Sequence, residues 1–399
     1  MKKKIFRSIT LILALLIVGF TLTSCGNNQS GTPASTPGDS STPGNTGTSG
    51  DSGTSDTPAA PAGDGKVYII DAALAAAEPS TKNWQEAFRE IERRSDGRIK
   101  INPYYAGSLL TFPEIPRGMI DGTAQWAYLA MNNYPDIMPL ASSVFQLPFM
   151  GLQDPVDSCE IYMQLLDEFP EIVEEFAQFN MIPLSASPLY PYQLHLIDKT
   201  KEVRLPSDLS GMTINPFKPE LQSMFDKYNV GISYIPPNQM FEALERQVID
   251  GFINMWGLTH WFGLNPWINQ HVLIDEHGLY QECFVYCVAK DFFEALPADL
   301  QKLLRDIHRD EQVEAFGGMR GYEYFWEDTL SYINIEIDYA KANGNLFVEL
   351  TPEETQVWKD ETAYTHQMLL DEINAQRGDD VATQVYNRVK ELIAERYGS

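Results

Sequence analysis

Two hexapeptides share the pattern Arg-x-apolar-Ile-Asp-Gly, namely RGMIDG at residues 117–122 and RQVIDG at residues 246–251. Each is typical of a helix end that is followed by a glycine turn and a short strand. Each strand then carries an amide and an indole, Gln125 with Trp126 in the first half and Asn254 with Trp256 in the second. Two similar units of this kind predict two lobes that face one cleft, which is where open α/β sheets bind ligands.

The chain before the first hexapeptide reads as strand, helix, strand. Residues 66–70 are rich in strand formers, and residues 98–101 alternate between polar and apolar. Between them a helix is predicted, with an apolar face made of Trp84, Ala87, Phe88 and Ile91. Strands that alternate with helices favour an α/β fold in which helices cover both faces of each sheet.

The folded part of the chain is longer than one compact core usually holds, so two lobes are expected. Its last third reads as acidic helices, with helix starts near residues 297 and 352. We predict that the first lobe consists of residues 66–192 plus 281–320, and the second, with the C-terminal helices, of residues 193–280 plus 321–399.

The N-terminus has the order of an export signal, because cationic residues at positions 2–7 precede an apolar run at residues 11–20. That run is too short for a permanent spanning helix, which needs about 20 apolar residues. The sequence LTSC at residues 22–25 has the form of a bacterial lipobox, in which the cysteine accepts a lipid. We therefore predict a lipoprotein signal peptide at residues 1–24 and lipidation of Cys25; the alternative is a plain secretory signal.

Residues 25–65 consist almost wholly of Gly, Ser, Thr, Pro, Ala, Asn and Asp, which cannot bury enough apolar area to fold. We interpret them as a flexible tether with a root-mean-square span of roughly 35 Å. The formal net charge is −26, and removal of a signal peptide with four cationic and no acidic residues would leave −30. Nucleic acid is therefore excluded as a partner of the surface at large.

Three cysteines remain besides Cys25. Cys283 and Cys287 lie four apart in what reads as a buried strand, a spacing too long for a disulfide within one strand. We interpret all three as core thiols and leave open a bridge from Cys159 to either of the other two.

Motifs for catalysis are missing from the sequence. It contains neither a Gly-x-Ser-x-Gly elbow nor a His-Glu-x-x-His zinc helix, and its six histidines are scattered. We therefore predict no catalytic residues, no metal site and no cofactor, and a protein that binds rather than an enzyme.

An ordered set of short segments resembles the DctP-type solute-binding subunits of tripartite (TRAP) transporters, also known as bacterial extracellular solute-binding proteins of family 7. The first-half segments are SDGRIKI at residues 95–101, AGSL at 106–109 and QLPFM at 146–150; the second half adds LPSDLSGMTIN at 205–215 and the IDG at 249–251. The similarity covers nearly all of residues 66–316.

This resemblance implies a two-lobed, periplasmic-binding-protein-like fold of the type II, Venus-flytrap kind, with crossover strands and a long helix that spans both lobes. It also implies capture of a small solute at the extracytoplasmic face of the bacterial cell membrane. The partners would be the lipid bilayer, reached through acylated Cys25, and membrane-embedded subunits driven by an ion gradient. A solute-sensing receptor and the binding protein of an ATP-driven importer use the same fold and remain alternatives.

Members of this family usually have an arginine at the end of the segment that matches residues 211–215, where it clamps a substrate carboxylate. Here that position is Asn215, and a second cationic position near residues 193–195 is also replaced. The resemblance therefore implies a neutral or aromatic solute, with Lys218 as an alternative source of positive charge. The predicted ligand-binding residues are Trp126, Tyr128, Gln193, His195, Asn215, Asn254 and Trp256, with Trp261 as a further aromatic candidate. For each aromatic residue and for His195, a place in the core is the alternative.

Overall fold

The computed structural model describes residues 65–75, 81–189, 191–275, 277–309 and 319–398. The predicted signal peptide, Cys25 and the predicted tether up to residue 64 lie outside the described residues. Within the part of the chain that is described, no helix combines the length and the apolar character needed to cross a bilayer.

Strands and helices alternate through most of the chain. The strands are β1 (Tyr68–Leu74), β2 (Ile99–Tyr104), β3 (Trp126–Ala130), β4 (Met181–Pro188), β5 (Gln193–Leu196), β6 (Thr213–Asn215), β7 (Gly231–Ile232), β8 (Gly251–Asn254), β9 (Gln270–Leu273), β10 (Cys283–Ala289) and β11 (Leu346–Glu349). The α-helices are α1 (Thr81–Arg94), α2 (Ile115–Ile120), α3 (Pro139–Ser142), α4 (Pro155–Glu168), α5 (Pro170–Ala177), α6 (Gln222–Lys227), α7 (Met240–Glu245), α8 (Trp256–Trp261), α9 (Lys290–Ala295), α10 (Ala298–Arg309), α11 (Met319–Ala342), α12 (Pro352–Arg377) and α13 (Val381–Tyr397).

The predicted strand, helix, strand order at the start is confirmed by β1, α1 and β2. The apolar face predicted for α1 is buried, since each of its four side chains is at most 5% exposed. The helix predicted to start near residue 352 is α12, and Thr351 caps it by accepting a hydrogen bond from Glu354 N at 3.2 Å. These elements form because apolar periodicity and capping residues act locally.

The strands form two sheets, as expected for two lobes. The order in the first sheet is β2-β1-β3-β10-β4, and the order in the second is β11-β9-β5-β8-β6-β7. In the first sheet β1 is parallel to β2 and β3, whereas β10 is antiparallel to both of its neighbours. In the second sheet β5 is antiparallel to its neighbours β8 and β9.

The chain passes between the sheets three times, and the third passage, from β10 to β11, includes helices α9, α10 and α11. The first two passages, from β4 to β5 and back from β9 to β10, are the crossover segments. These crossover segments are hydrogen-bonded to each other: Tyr192 N donates to Tyr280 O at 3.0 Å, and Leu279 N donates to Tyr192 O at 2.9 Å. Each crossover joins the end of a strand in one sheet to the start of a strand in the other. The edge that holds the ends of β3 and β4 therefore faces the edge that holds the ends of β6, β8 and β9, across the predicted cleft.

A long helix connects the two lobes on the outside. The first half of α12 contributes Trp358 to a core that it shares with second-lobe residues such as Leu194, and its second half contributes Leu370 to a core with Phe145 of the first lobe. The predicted helix that spans both lobes is thus confirmed. Val385 of α13 packs in the same first-lobe core as Phe145. The predicted lobe boundaries stay a prediction, and these contacts argue for moving residues 381–397 into the first lobe.

The three remaining cysteines are all buried core residues with free thiols. Cys283 and Cys287 lie on β10, and both share an apolar core with Cys159 of α4. A disulfide from Cys159, left open from the sequence, is therefore not formed in this structure.

Candidate binding site

Polar side chains from three strands meet at the cleft edge of the second sheet. Gln193 begins β5 and lies opposite Asn254, the last residue of β8, in the antiparallel register. Asn215 ends β6 and lies beside Phe252 of β8. The fold thus brings three of the predicted site residues to one edge, although they are far apart in sequence.

The amides of Gln193 and Asn215 are both bound to backbone groups. Gln193 accepts from Ile274 N and donates to Asp275 O, each at 2.9 Å. Asn215 donates to Ile235 O at 2.8 Å and accepts from the N–H two residues further on at 3.1 Å. The Gln193 amide therefore holds the loop that follows β9, and the Asn215 amide joins the loops that follow β6 and β7.

Asn254 differs from these two because one end of its amide is not used. Its Oδ1 accepts from Met255 N at 2.8 Å, and no described residue accepts a hydrogen bond from its Nδ2. Since a backbone N–H needs an acceptor, the oxygen must face Met255 and the nitrogen must face away from it. Asn254 thus has a donor left at the cleft edge, with a side chain that is only 3% exposed.

His195 belongs to a buried row of hydrogen bonds behind this edge. Asn254 O can only accept, so His195 Nε2 donates to it at 3.1 Å. His195 Nδ1 must then accept from His271 Nδ1 at 2.9 Å, and His271 Nε2 must accept from Asn345 Nδ2 at 3.0 Å. Burial lowers the pKa of His195 to about 3 and that of His271 to about 2, so both rings are neutral near pH 7. The row fixes the backbone of Asn254.

Trp126, Tyr128 and Trp256 contact neighbours within their own lobes. Trp126 lies at the start of β3, the end away from the cleft, and donates through Nε1 to His308 Nε2 at 3.0 Å. Tyr128 packs in the middle of β3, with its ring centroid 4.2 Å from that of Phe284. Trp256 stacks on His271 at 4.3 Å between centroids. Trp261, the further candidate, is partly buried against the same core as Tyr128.

A cluster of charged and phenolic residues lies where the crossover segments meet the loop after β6. We call it the interlobe charge cluster; its members are Lys218, Glu220, Glu282, Tyr192 and Tyr280. Lys218 Nζ lies 4.6 Å from the ring centroid of Tyr280, whose hydroxyl donates to Pro216 O at 2.8 Å. Of these five residues, only Lys218 was a candidate from the sequence.

Glu282 has hydrogen-bond donors from both the first lobe and the crossover segment. It accepts from Asn132 N of the first lobe at 2.8 Å and from the Tyr192 hydroxyl of the crossover segment. Burial raises the pKa of Glu282, against the opposing charge of Lys218. Burial also lowers the pKa of Lys218, against the charges of Glu282 and Glu220. The charge of a buried cation thus acts on two buried carboxylates.

Glu220 and Glu282 are not recognisable from the sequence, because one acidic residue among many in so acidic a chain carries no signal. Glu282 directly precedes the apolar strand β10, and Glu220 lies in a short 3₁₀ turn, Pro219–Leu221. Only their burial, at 6% and 1% exposure, separates them from the solvated acids of the helices.

Two cavities lie beside the crossover segments rather than between the cleft edges. The larger, of about 440 Å³, is lined by Pro148, Phe149 and the α12 residues Lys359 and His366, among others. The smaller, of about 190 Å³, shares Phe149 and Lys359 and reaches Tyr280. Neither is lined by a residue of the predicted ligand-binding set.

Comparison with known proteins agrees with this architecture. Residues 72–372 match the family model described as bacterial extracellular solute-binding protein, family 7. No curated protein matches the sequence.

Solved structures with the same fold are distant in sequence. A TRAP solute-binding protein from Rhodoferax ferrireducens, in complex with copurified benzoate, is 20% identical with a TM-score of 0.69, covering 82% of this chain and 98% of that one. An extracytoplasmic solute receptor from Bordetella pertussis that binds pyroglutamic acid is 16% identical with a TM-score of 0.65, covering 82% and 100%. A TRAP periplasmic solute-binding protein from Pseudomonas aeruginosa with bound L-malate is 16% identical with a TM-score of 0.62, covering 75% and 99%.

Proposed function

This chain belongs to the bacterial extracellular solute-binding proteins of family 7, and on that premise we propose that it delivers a captured small organic solute to the membrane-embedded subunits of a TRAP-type secondary transporter. Its task is then to bind and release the solute without chemical conversion. Closure of two lobes over a ligand and reopening at the membrane partner is a motion that two crossover segments permit.

One observation carries this proposal best: Asn254 presents an unused amide donor at an edge that faces the other lobe across the cleft. We assign Asn254 as a direct ligand contact. The other predicted site residues act from behind it. Gln193 and Asn215 hold the loops that follow β6, β7 and β9, His195 and Trp256 support the strand ends beside the cleft, and Trp126 and Tyr128 pack β3, whose end faces the cleft.

The proposed ligand is a neutral or aromatic solute rather than a simple mono- or dicarboxylate. The resemblance places the family's usual cations at Asn215 and near residues 193–195, and the amides of Asn215 and Gln193 are both bound to backbone groups. The positive charge of Lys218, a buried cation, already interacts with the charges of Glu220 and Glu282. A ligand carboxylate would therefore meet no uncompensated positive charge from these residues.

We further propose that the protein is held on the outer face of the cell membrane by acylated Cys25. The tether would then let the folded lobes reach a partner in the membrane. Several acyl chains, at about 0.8 kcal/mol for each buried CH₂ group, suffice for such an anchor without a spanning helix.

Thermal unfolding in the presence of candidate solutes tests the function. A ligand present at about 100 times its Kd stabilises the folded state by about 2.7 kcal/mol, which raises the unfolding midpoint by several degrees. The panel contains neutral aromatic compounds, sugars and the acids bound by the structural relatives. The expected result is a shift by neutral or aromatic compounds and none by benzoate, L-malate or pyroglutamate; the opposite pattern would sink the ligand proposal.

Asn254→Asp then tests the site with any compound that shifts the midpoint. The aspartate keeps the oxygen that accepts from Met255 N and removes the Nδ2 donor, so affinity should fall about tenfold. The control is Asn343→Asp, the same chemical change on an exposed residue remote from the cleft. If both variants bind like the parent protein, Asn254 is not a ligand contact.

A further inference from the structure

Glu220 has a buried carboxylate, and one of its oxygens has no hydrogen-bond partner in the described part of the chain. It is the middle residue of the 3₁₀ turn Pro219–Leu221, its side chain is 6% exposed, and its Oε2 has no hydrogen-bond partner among the described residues. A carboxylate removed from water without donors is costly, which is why buried acids are normally paired. Glu220 therefore requires an explanation.

Its place in the fold puts Glu220 at the cleft. The turn follows β6, whose end lies at the cleft edge of the second sheet. The charge of Glu220 acts on Lys218, Tyr280 and Glu282, the residues that line the contact between this loop and the crossover segment. The carboxylate thus lies in the loop that begins at the cleft edge to which Asn254 also belongs.

The charges of the interlobe charge cluster do not balance. It has one cationic residue, Lys218, and two acidic residues, Glu220 and Glu282. Glu282 has its own donors in Asn132 N and the Tyr192 hydroxyl. Glu220 has no comparable set, so the acid in surplus is the one with the open oxygen.

We propose that the ligand presents a protonated amine to Oε2 of Glu220. The inference rests on the proposed function, because it assumes that this cleft is the solute site, and it narrows the solute to a neutral or aromatic skeleton that bears an ammonium group. An N–H donor satisfies the open oxygen, and the positive charge balances the acid in surplus. The phenol ring of Tyr280, which already faces the ammonium group of Lys218, belongs to the surroundings that suit a cation.

Glu220 and Asn254 would bind different groups of such a ligand. Glu220 accepts from the ammonium group, and Asn254 Nδ2 donates to an acceptor elsewhere on the solute. A carboxylate in the position of the amine would instead lie against Glu220 without a clamping arginine, and like charges in a desolvated site repel.

The test uses matched compounds that share one skeleton: 2-phenylethylamine, 2-phenylethanol, phenylacetate and the quaternary trimethyl-(2-phenylethyl)ammonium ion, with butylamine, butanol and butyrate as the aliphatic series. Thermal unfolding and titration calorimetry at pH 7.5 are measured on the full chain with Cys25→Ser, which leaves every described residue unchanged. The expected result is binding by the primary amine of at least one series and none by its alcohol or its acid. The quaternary ion, which has no N–H, should bind more weakly than the primary amine.

Glu220→Gln should weaken binding of the amine at least about tenfold, as loss of a charge-assisted hydrogen bond implies. The matched control is Asp226→Asn, a neutralised exposed acid in the helix that follows. Binding of the alcohol in preference to the amine overturns the inference but leaves the proposed function standing. Binding of the acid overturns both the inference and the proposal of a neutral or aromatic ligand, and leaves solute capture standing.

Small molecules released by denaturing freshly purified protein provide a second readout, identified by mass spectrometry in both polarities. A nitrogen base supports the inference, and an acid or a neutral solute overturns it. If no panel compound binds and no solute is released, the proposed function fails, and the inference fails with it.

Discussion

His271 Nδ1 lies 2.9 Å from Nδ1 of His195, and both imidazoles are buried in the second lobe. Each ring has a partner at its other nitrogen, Asn345 Nδ2 for His271 and Asn254 O for His195. The pair is therefore neutral and fully hydrogen-bonded, and it connects the turn before β11 with the cleft edge.

This pair makes stability depend on pH. The folded pKa values, about 3 for His195 and about 2 for His271, lie below the ordinary value of 6.5, so unfolding takes up protons below that pH. Their contribution is fully present above about pH 6.5 and is lost as the pH falls toward the folded values. Each histidine should contribute about 1.4 kcal/mol per pH unit to that loss.

The measurement is urea unfolding between pH 5 and 8 of the parent protein and of His271→Gln, whose amide can still donate to His195 and accept from Asn345. Below pH 6.5 the variant should lose stability less steeply, by about 1.4 kcal/mol per pH unit. Glu175, whose pKa burial raises to about 7, acts in the opposite direction but is common to both proteins. Parallel curves below pH 6.5 would contradict a neutral buried pair.

Gly278 allows the two crossover segments to touch. Its φ is +70°, and a Cβ atom there would lie 2.5 Å from Pro191 Cβ and 2.7 Å from Tyr192 O. Gly278→Ala should therefore destabilise the fold by a left-handed backbone cost of about 1–2 kcal/mol plus a packing cost of about 1–3 kcal/mol.

Gly263→Ala is the matched control for this prediction. Gly263 has a φ of +62° but nothing within 4 Å of the added Cβ, so only the backbone cost should appear in urea unfolding. Equal losses for the two variants would show that contact between the crossovers does not depend on Gly278.

Lys218 compensates buried negative charge, so its removal should be costly. Lys218→Met removes the positive charge that acts on buried Glu282, so the free energy of unfolding should fall, though by less than the roughly 3–5 kcal/mol that a broken buried contact pair costs. Adding Glu282→Gln to Lys218→Met should restore much of the loss, as measured by urea unfolding.

The control for Lys218 is Lys227→Met, which removes an exposed lysine that binds Glu361 at 2.6 Å on the surface. That variant should change the unfolding midpoint little, because exposed ion pairs contribute little. A double variant no more stable than Lys218→Met would show that the two buried residues do not compensate each other.

The proposed lipid anchor gives a prediction about Cys25. The parent protein expressed in a bacterial host should enter the detergent phase in Triton X-114 partitioning, whereas Cys25→Ser should remain in the aqueous phase because it has no acyl chains to bury. Cys159→Ala, which alters a buried core thiol, should partition like the parent. Detergent-phase recovery of Cys25→Ser would contradict lipidation at this position.

The sequence was sufficient where local periodicity decides structure. The apolar face of α1, the capped start of α12 and the buried strand with Cys283 and Cys287 each follow from residue spacing, because a helix or strand buries the face that its period defines. The resemblance of the ordered segments to the family also predicted the two lobes, the crossovers and the helix that spans both lobes.

The sequence was less informative about side-chain direction at the cleft. In the sequence Trp126 and Trp256 occupy similar positions after the two hexapeptides. In the structure Trp126 begins β3 at the end away from the cleft, and each indole packs within its own lobe. Asn215 and Asn254 read as equivalent amides, yet only Asn254 keeps a donor unused by the described residues. Such differences depend on which backbone groups lie nearby.

The sequence alone determined the family and the α/β class, since both depend on residue type and spacing along the chain; the export signal and the replaced arginine stay predictions. Only the tertiary structure decided that Glu220 and Glu282 share one buried space with Lys218, because the crossovers join segments that lie more than sixty residues apart. Desolvation and pairing of charge are properties of that space, and no spacing along the sequence encodes them.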